Sequence, residues 1–161
     1  MSKEFLEIKE PYAEKDLRKA IVRNLKDFVL EIGRDFSLVG EEYMVQAGNH
    51  DYYIDLLFFH RGLSCLVAFD LKIGELKPEY VSKMGLYLKA LDREIKKPKE
   101  NTSVGIVLCV SKDNEVAELR LGRDLSPARL SEYDLQLIDK TLLHSKLKDF
   151  AERSGLNGSL E

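Results

Sequence analysis

The sequence has few of the residues that build zinc sites or disulfide frameworks. Its 161 residues include two cysteines, three histidines and no tryptophan. Structural zinc is nearly always held by four Cys or His side chains, so a Cys/His zinc cluster is excluded. Cys65 and Cys109 lie far apart within apolar runs. They predict buried, reduced thiols and therefore a cytoplasmic location.

Long apolar runs and an excess of basic charge are also missing. No stretch approaches the ~18 apolar residues that a membrane-spanning helix needs, and no basic-then-apolar signal segment is visible. We therefore expect no membrane partner. The net charge of −3 excludes a wholly basic, histone-like nucleic-acid binder, so a polyanion would have to meet a local basic patch.

Length and composition predict a single folded domain. Domains usually have about 100–200 residues, and 44% of this chain is hydrophobic, which is enough to bury a core. Glycine and proline are scattered, and no linker or repeat is visible. We expect one domain over residues 1–161, with its core at about 14–140 and a frayed end at 152–161.

The apolar pattern predicts the element order α-β-β-β-α-β, followed by a short strand and a terminal helix. The short turns between the first three strands favour antiparallel hairpins. The predicted fold class is α/β, with a mixed sheet flanked by helices and an added C-terminal helix. The predicted elements are an extended lead-in at 1–13, helices at 14–32, 79–97 and 135–150, and strands at 36–46, 51–60, 63–73, 103–111 and 115–121.

Three charged residues interrupt the apolar strand runs. Asp55 lies within 51–60, and Asp70 and Lys72 lie within 63–73. A buried carboxylate is usually paired, bound to metal or placed at a strand end, because burying it alone is costly. Alternation along a strand places Asp70 and Lys72 on one face and Leu71 on the other. Pairing of the two strands would place Asp55 beside Asp70.

Two converging carboxylates followed by a lysine suit a metal-dependent hydrolase. Their hard oxygen atoms are ligands for Mg²⁺ or Mn²⁺. The lysine can orient a water or stabilise charge on a phosphate. A carboxylate at a strand end and a surface ion pair would produce the same residues, so this evidence alone leaves both interpretations open.

Several longer motifs extend the pattern over about residues 5–140. In the same element order as Asp55 and Asp70-Leu71-Lys72, they resemble the bacterial YhcG-like PDDEXK nuclease domain of the PD-(D/E)xK nuclease superfamily. The motifs are Glu10-Pro11-Tyr12, Glu14-Lys15-Asp16-Leu17, Asp51-Tyr52-Tyr53-Ile54-Asp55-Leu56-Leu57-Phe58, Leu71-Lys72-Ile73-Gly74-Glu75, Lys77-Pro78-Glu79-Tyr80, Ser103-Val104-Gly105-Ile106-Val107-Leu108-Cys109 and Ser131-Glu132-Tyr133.

The resemblance implies a restriction-endonuclease-like αβββαβ core and metal-dependent cleavage of nucleic acid, with DNA as the expected substrate. It implies that Asp55, Asp70 and Lys72 are catalytic. Asp55, Asp70 and the backbone carbonyl of Leu71 would hold Mg²⁺ or Mn²⁺, and Lys72 would position the attacking water. An RNA endonuclease is an alternative. In this family the domain usually follows a helical domain, so the chain is either a stand-alone version or part of a longer protein.

The sequence departs from the family pattern at three positions. Asp70 stands where the subgroup usually has Glu, which withdraws the carboxylate by about one C–C bond, or ~1.5 Å. Arg18 stands where relatives often carry a helix acid, a role that Glu14 could take one turn earlier. Lys83 stands where relatives tend to have Gln. These departures favour another hypothesis, a catalytically impaired nuclease-fold module that binds nucleic acid or a protein partner.

The segment that follows the proposed site is basic. Residues 72–99 contain eight basic and four acidic residues, whereas the whole chain carries −3. A basic helix beside the acid pair would suit a phosphate backbone, with Lys77 and Lys83 as candidate phosphate contacts. An ordinary solvated helix face is the alternative. Because enzymes that cut duplexes often need two sites, a twofold homodimer is also expected.

Overall fold

The computed structural model describes the backbone of residues 2–155 and the side chains of residues 14–155. None of the helices described there is long and apolar enough to cross a membrane. The observed order contains the predicted α-β-β-β-α-β core. The elements are α1 (Ser2–Ile32), β1 (Phe36–Ala47), β2 (His50–His60), β3 (Cys65–Ile73), α2 (Pro78–Glu94), β4 (Val104–Val110), β5 (Val116–Gly122), α3 (Pro127–Asp134) and α4 (Lys140–Arg153).

The five strands form one mixed sheet in the order β1-β2-β3-β4-β5. The first three strands pair as antiparallel hairpins, as their short turns predict. β3 and β4 run parallel and are joined by α2, the crossover helix that a parallel pair requires. β5 adds an antiparallel edge strand. The predicted α/β class is therefore confirmed, and the architecture is the restriction-endonuclease-like one that the resemblance implied.

Hydrophobic layers cover both faces of the sheet. α1 and α4 pack on one face, and α2 packs on the other. β3 contributes to both layers, with Val67, Phe69 and Leu71 on the α1 side and Leu66 and Ala68 on the α2 side. This alternation places Asp70, the residue before Leu71, toward the α2 side of the sheet.

α1 begins earlier than predicted. The pattern predicts an extended lead-in over residues 1–13, whereas the backbone is helical from Ser2 and continues through Pro11. Pro11 argues against a helix, but the Lys, Glu and Leu residues around it are strong helix formers. The prediction of an extended segment is therefore wrong for residues 2–13, and Met1 lies outside the described residues.

The C-terminal region contains two helices where the pattern predicts one. α3 begins after Ser126, whose hydroxyl accepts a hydrogen bond from the Arg129 N–H. Leu135, the expected first apolar position of a single helix, is 87% exposed between α3 and α4. The Ser126-Pro127 pair is a helix-start signal that indicates α3. α4 continues to Arg153, so the first two residues of the end predicted to fray are helical, and residues 156–161 lie outside the described residues.

Candidate active site

Asp55 lies where β2 and β3 separate. Their antiparallel ladder ends at the pair Leu56 and Phe69, and Asp55 and Asp70 are the next residues along the two strands. The Leu71 N–H has no partner strand on this side and donates instead to Asp55 Oδ2 at 2.8 Å. The prediction that Asp55 lies beside Asp70 is therefore confirmed. The Asp55 carboxylate accepts the β3 hydrogen bond that a backbone carbonyl of β2 would accept if the ladder continued.

Side-chain alternation in β2 slips by one residue around Asp55. Ile54 and Leu57 both pack in the α2 layer, although three residues apart they would face opposite sides of a regular strand. On the neighbouring strand β1, Glu42 has a φ of 45°, the left-handed conformation that is uncommon outside glycine. This local irregularity lets Asp55 point along the sheet toward β3.

The other oxygen of Asp55 binds an arginine from α1. Arg18 Nη1 donates to Asp55 Oδ1 at 2.7 Å. The two side chains are 27% and 12% exposed, so the contact is shielded from bulk water on the Asp55 side. At the position where the family resemblance implied a helix acid, this chain therefore directs a permanent cation into the site.

Asp70 is the more buried of the two carboxylates, with a side chain that is 8% exposed. Burial, reinforced by the negative charge of Asp55, raises the pKa of Asp70 to about 7. Lys72 Nζ lies 3.5 Å from Asp70 Oδ2 and acts in the opposite direction on this pKa. Asp70 and Lys72 thus lie on one face, as predicted, and burial beside Asp55 favours the neutral form of Asp70 more than in an exposed aspartate.

The Lys72 ammonium lies between Asp70 and α2. Its Nζ is 5.6 Å from the centre of the Tyr80 ring, and Lys77 Nζ is 5.8 Å from the same ring. Both distances suit cation–π attraction. Lys77, at the start of α2, is therefore close to the site. Lys83 is exposed further along α2 and does not line the cleft described next.

A cleft of about 370 Å³ opens over the carboxylate pair. A second cleft, of about 330 Å³, continues from it along α1 and shares three of its lining residues. Glu14, the candidate helix acid, is exposed and lines neither cleft. Six residues line the first cleft, namely Arg18, Glu42, Tyr53, Asp55, Asp70 and Lys72.

One residue near the site, Glu42, and two contacts of the site residues were not predicted from the sequence. Glu42 could have been suspected only from Gly40, because a glycine within a strand often marks a bulge. The contact of Arg18 with Asp55 and that of Tyr80 with Lys72 join different elements of the chain. No local pattern in the sequence predicts a contact between side chains of different elements.

The site offers two carboxylates to a cation. Within the described residues, no group of three or more His, Cys, Asp or Glu side chains is placed to hold a metal ion. Mg²⁺ is usually bound through one or two carboxylates, with water and substrate phosphate completing its shell. The donor set of Asp55 and Asp70 therefore fits such an ion.

His60 and the two cysteines have structural roles. His60 is buried at the end of β2, where its Nδ1 accepts from the Leu63 N–H at 3.0 Å and its Nε2 bonds the Gln136 carbonyl at 3.1 Å. Cys65 and Cys109 are free and buried, as predicted. Burial raises the pKa of Cys65 to about 12, which keeps this thiol protonated and unreactive.

A buried ion network joins β5 to α3 and α4, away from the cleft. Arg120 pairs with Glu118 and with Asp134, and it donates to the Ile138 carbonyl. His144 binds the other oxygen of Glu118 at 2.7 Å. Because every charged group here has a partner within the network, its role is to hold the C-terminal helices on the sheet.

One family model and one curated protein are similar to this chain over most of its length. The family model described as YhcG PDDEXK nuclease domain matches residues 1–148. The chain is 38% identical over 144 residues to the Escherichia coli (strain K12) protein named "Putative nuclease YhcG", a match that covers 89% of this chain and 38% of that protein. The chain thus spans about two fifths of the length of this curated relative.

Two solved structures are similar at low sequence identity. One is titled "Crystal structure of SSO0001", with a TM-score of 0.44, 13% identity and coverage of 95% of this chain and 66% of that one. The other is an alkaline exonuclease, LHK-Exo, from Laribacter hongkongensis, with a TM-score of 0.29, 12% identity and coverage of 81% and 66%.

Proposed function

The chain belongs to the YhcG PDDEXK nuclease domain family, and from this premise we propose that it is a divalent-metal-dependent nuclease that cleaves DNA. One observation carries the proposal. Asp55 and Asp70 lie side by side where the β2–β3 ladder ends, and the Lys72 ammonium is 3.5 Å from the Asp70 carboxylate. Two carboxylates in a shared cleft can bind the hard cation that phosphodiester hydrolysis uses, and the lysine beside them can stabilise the charge on the phosphate.

Asp55, Asp70 and the Leu71 carbonyl are the proposed ligands for Mg²⁺ or Mn²⁺. The Leu71 N–H points to Asp55, and the N–H and C=O of one strand residue face the same neighbouring strand, so the carbonyl also faces Asp55. Burial first, and the charge of Asp55 second, raise the pKa of Asp70, and a bound cation would offset both by favouring the ionised carboxylates. When bound, the ion would polarise a phosphate oxygen and lower the pKa of a water.

Lys72 is the residue proposed to hold the attacking water. Its side chain is one-third exposed, so its ammonium reaches the cleft while Asp70 and Tyr80 fix its position. In the reaction the water oxygen bonds to phosphorus and releases a proton to solvent, one P–O ester bond breaks, and the leaving oxygen takes up a proton from solvent. An ammonium beside the phosphate also stabilises the negative charge that grows in the transition state.

DNA is proposed as the substrate because the restriction-endonuclease-like resemblance implies it, and RNA cleavage is an outcome of the test below. Cutting both strands of a duplex would need two such sites, so we also propose a homodimer, which light scattering would test. The buried free thiols Cys65 and Cys109 support a reducing, cytoplasmic location.

The contact between Arg18 and Asp55 favours one second candidate, a nuclease-fold module that binds nucleic acid without cutting it. The guanidinium neutralises Asp55 at 2.7 Å, so the site can hold its charges without a metal ion. In that case the protein would bind nucleic acid in EDTA and stay inert after Mn²⁺ is added.

The deciding experiment measures cleavage of labelled duplex DNA and RNA with Mg²⁺, Mn²⁺ or EDTA. We expect wild type to cut DNA only with metal, and Lys72→Gln to lose at least about 100-fold in rate, the usual effect of removing one donor that stabilises transition-state charge. Asp70→Asn should lose activity and calorimetric Mn²⁺ binding together. Lys89→Gln, which removes an exposed charge elsewhere on α2, is the matched control and should cut like wild type.

The other outcomes separate the alternatives. Nucleic-acid binding without cleavage by wild type would support the second candidate. Cleavage of RNA alone would overturn the proposed substrate. Equal activity of wild type, Lys72→Gln and Asp70→Asn would show that the reaction does not use this site.

A further inference from the structure

Arg18 is the basic residue in the cleft that the proposed chemistry leaves without a role. It comes from α1, opposite the Lys72 side of the carboxylate pair, and it lines both clefts. We propose that Arg18 is a phosphate-binding residue, whose guanidinium holds a non-bridging phosphate oxygen of the nucleic acid over Asp55 and Asp70. This assignment rests on the proposed function, because it names how the same site holds its substrate.

The Arg18 guanidinium has N–H donors beyond the one that binds Asp55. An arginine side chain carries five N–H donors in a rigid, planar fork. Among the described side chains, its only hydrogen-bond acceptor is Asp55 Oδ1, reached through Nη1. Since 27% of the side chain is exposed, the remaining donors reach the cleft, and a planar fork is the geometry that binds two phosphate oxygens at once.

The charges around the carboxylates require a cation on this side. Asp55 and Asp70 together repel an approaching phosphate, and each has one cation beside it, Arg18 at 2.7 Å from Asp55 and Lys72 at 3.5 Å from Asp70. Lys72 lies toward α2, whereas Arg18 comes from α1, so the two cations flank the carboxylate pair. A phosphate placed over the pair would then meet positive charge from both walls of the cleft.

The second cleft extends this cationic contact along α1. Its lining includes Lys19 and Arg23, the next basic residues after Arg18. Its acids are already paired, Glu41 with Lys26 at 3.3 Å and Glu42 with Lys19 itself at 3.8 Å, which leaves Arg23 as the added positive charge. Arg23 is exposed, and in the described part of the chain it makes no ion pair with an acid. From Arg18 to Arg23 the helix rises about 7.5 Å, or roughly two nucleotides at 3.4 Å each.

A purely structural role for Arg18 makes a different prediction. If Arg18 only orients Asp55, a glutamine should replace it well, because the Gln amide can also donate to Asp55 Oδ1. If Arg18 binds phosphate, the loss of positive charge should weaken nucleic-acid binding even in the absence of metal. Arg18→Lys separates the two roles further, because it retains the charge but loses the fork.

The experiment is fluorescence anisotropy of a labelled DNA duplex in EDTA, titrated at several salt concentrations. We expect Arg18→Gln to bind about tenfold more weakly, the effect of losing a charged hydrogen bond. The slope of log affinity against log salt should fall by about 0.9, the value for one phosphate contact. Arg18→Lys should retain part of the affinity and most of the slope.

Arg34→Gln is the matched control. It removes the same charge just beyond the far end of α1, roughly 20 Å along the helix axis, and should bind like wild type. Melting curves of all variants in the same buffer report whether each is folded.

Each outcome bears on one claim or the other. Unchanged affinity and salt slope in a folded Arg18→Gln would overturn the phosphate role of Arg18 while leaving the proposed nuclease intact. Weaker binding by Arg18→Gln, in a wild type that cuts nothing with Mn²⁺, would retain the phosphate role and overturn the nuclease. A wild type that binds neither DNA nor RNA in EDTA would count against both.

Discussion

Replacing Asp70 by asparagine should stabilise the metal-free protein at alkaline pH. Asparagine has the shape of a protonated aspartate, so its amide can donate to Asp55 and its oxygen can accept from Lys72. Asp70 has a pKa of about 7 in the folded protein instead of the ordinary 3.8. Ionised Asp70 is therefore unfavourable in the fold, and Asp70→Asn removes that cost.

The magnitude follows from the two pKa values. At 1.36 kcal/mol per pKa unit, the difference between 3.8 and about 7 corresponds to about 4 kcal/mol of unfolding free energy. Below about pH 4 the carboxyl is neutral in both states and costs nothing. Between about pH 4 and pH 7 the unfolded chain binds fewer protons than the folded one, so stability falls as pH rises. Above pH 7 the full cost is present.

The assay is urea unfolding in EDTA between pH 4 and pH 8.5. The stability difference between Asp70→Asn and wild type should grow across pH 4–7 and reach up to about 4 kcal/mol, or roughly 8–16 °C in Tm for a chain of this length. Asp113→Asn, an exposed residue in the β4–β5 turn, is the control and should follow the wild-type curve. Mn²⁺ should stabilise wild type and have much less effect on Asp70→Asn.

One result would refute this reasoning. If Asp70→Asn is no more stable than wild type at pH 8, and the two pH profiles run parallel, Asp70 ionises normally in the fold. Burial and the charge of Asp55 would then not favour the neutral form of Asp70, and the pair would give no electrostatic support for a cation site.

Two further predictions concern the neighbours of the site and the packing of α2. Tyr80→Leu should lower the metal-dependent cleavage rate by about twofold to fivefold, because a cation–π contact of ~0.5–1 kcal/mol to Lys72 is lost. Tyr80→Phe keeps an aromatic ring and should behave as wild type in the same assay. A full rate for Tyr80→Leu would exclude a role of Tyr80 in positioning Lys72. Gly105→Ala should cost about 1–3 kcal/mol in urea unfolding, because the added Cβ would lie 2.5 Å from Met84 Cγ. Gly85→Ala on α2 meets no atom within 4 Å and should be neutral or stabilising by up to ~1 kcal/mol, so equal losses in both glycine variants would contradict the packing argument.

Much of the fold could be predicted because its signals are local. The three early strands, the apolar β4 and the short turns predict a mixed sheet with antiparallel hairpins, which the structure has. The errors came where local signals conflict. Pro11 lies among strong helix formers, and the Ser126-Pro127 helix start is followed by apolar residues that also fit one longer helix.

Part of the candidate site could be predicted in the same way. Strand alternation places Asp70 with Lys72, and hairpin pairing places Asp55 beside Asp70. Both inferences depend only on neighbouring residues and on one short turn. The phosphate contacts proposed on α2 are less constrained, because a charged helix surface has the same composition whether it faces solvent or a ligand.

By itself, the sequence determined the order of the α-β-β-β-α-β core, the exclusion of a Cys/His zinc cluster and the presence of charges inside apolar strands, because these depend on composition and short-range spacing. Only the tertiary structure decided which charges meet. Arg18 reaches Asp55 from α1, and Tyr80 supports Lys72 from α2, because two helices distant in sequence pack on opposite faces of one sheet. The pKa of Asp70 belongs to the tertiary structure for the same reason, since burial and the charge of Asp55 raise it only when the strands are paired.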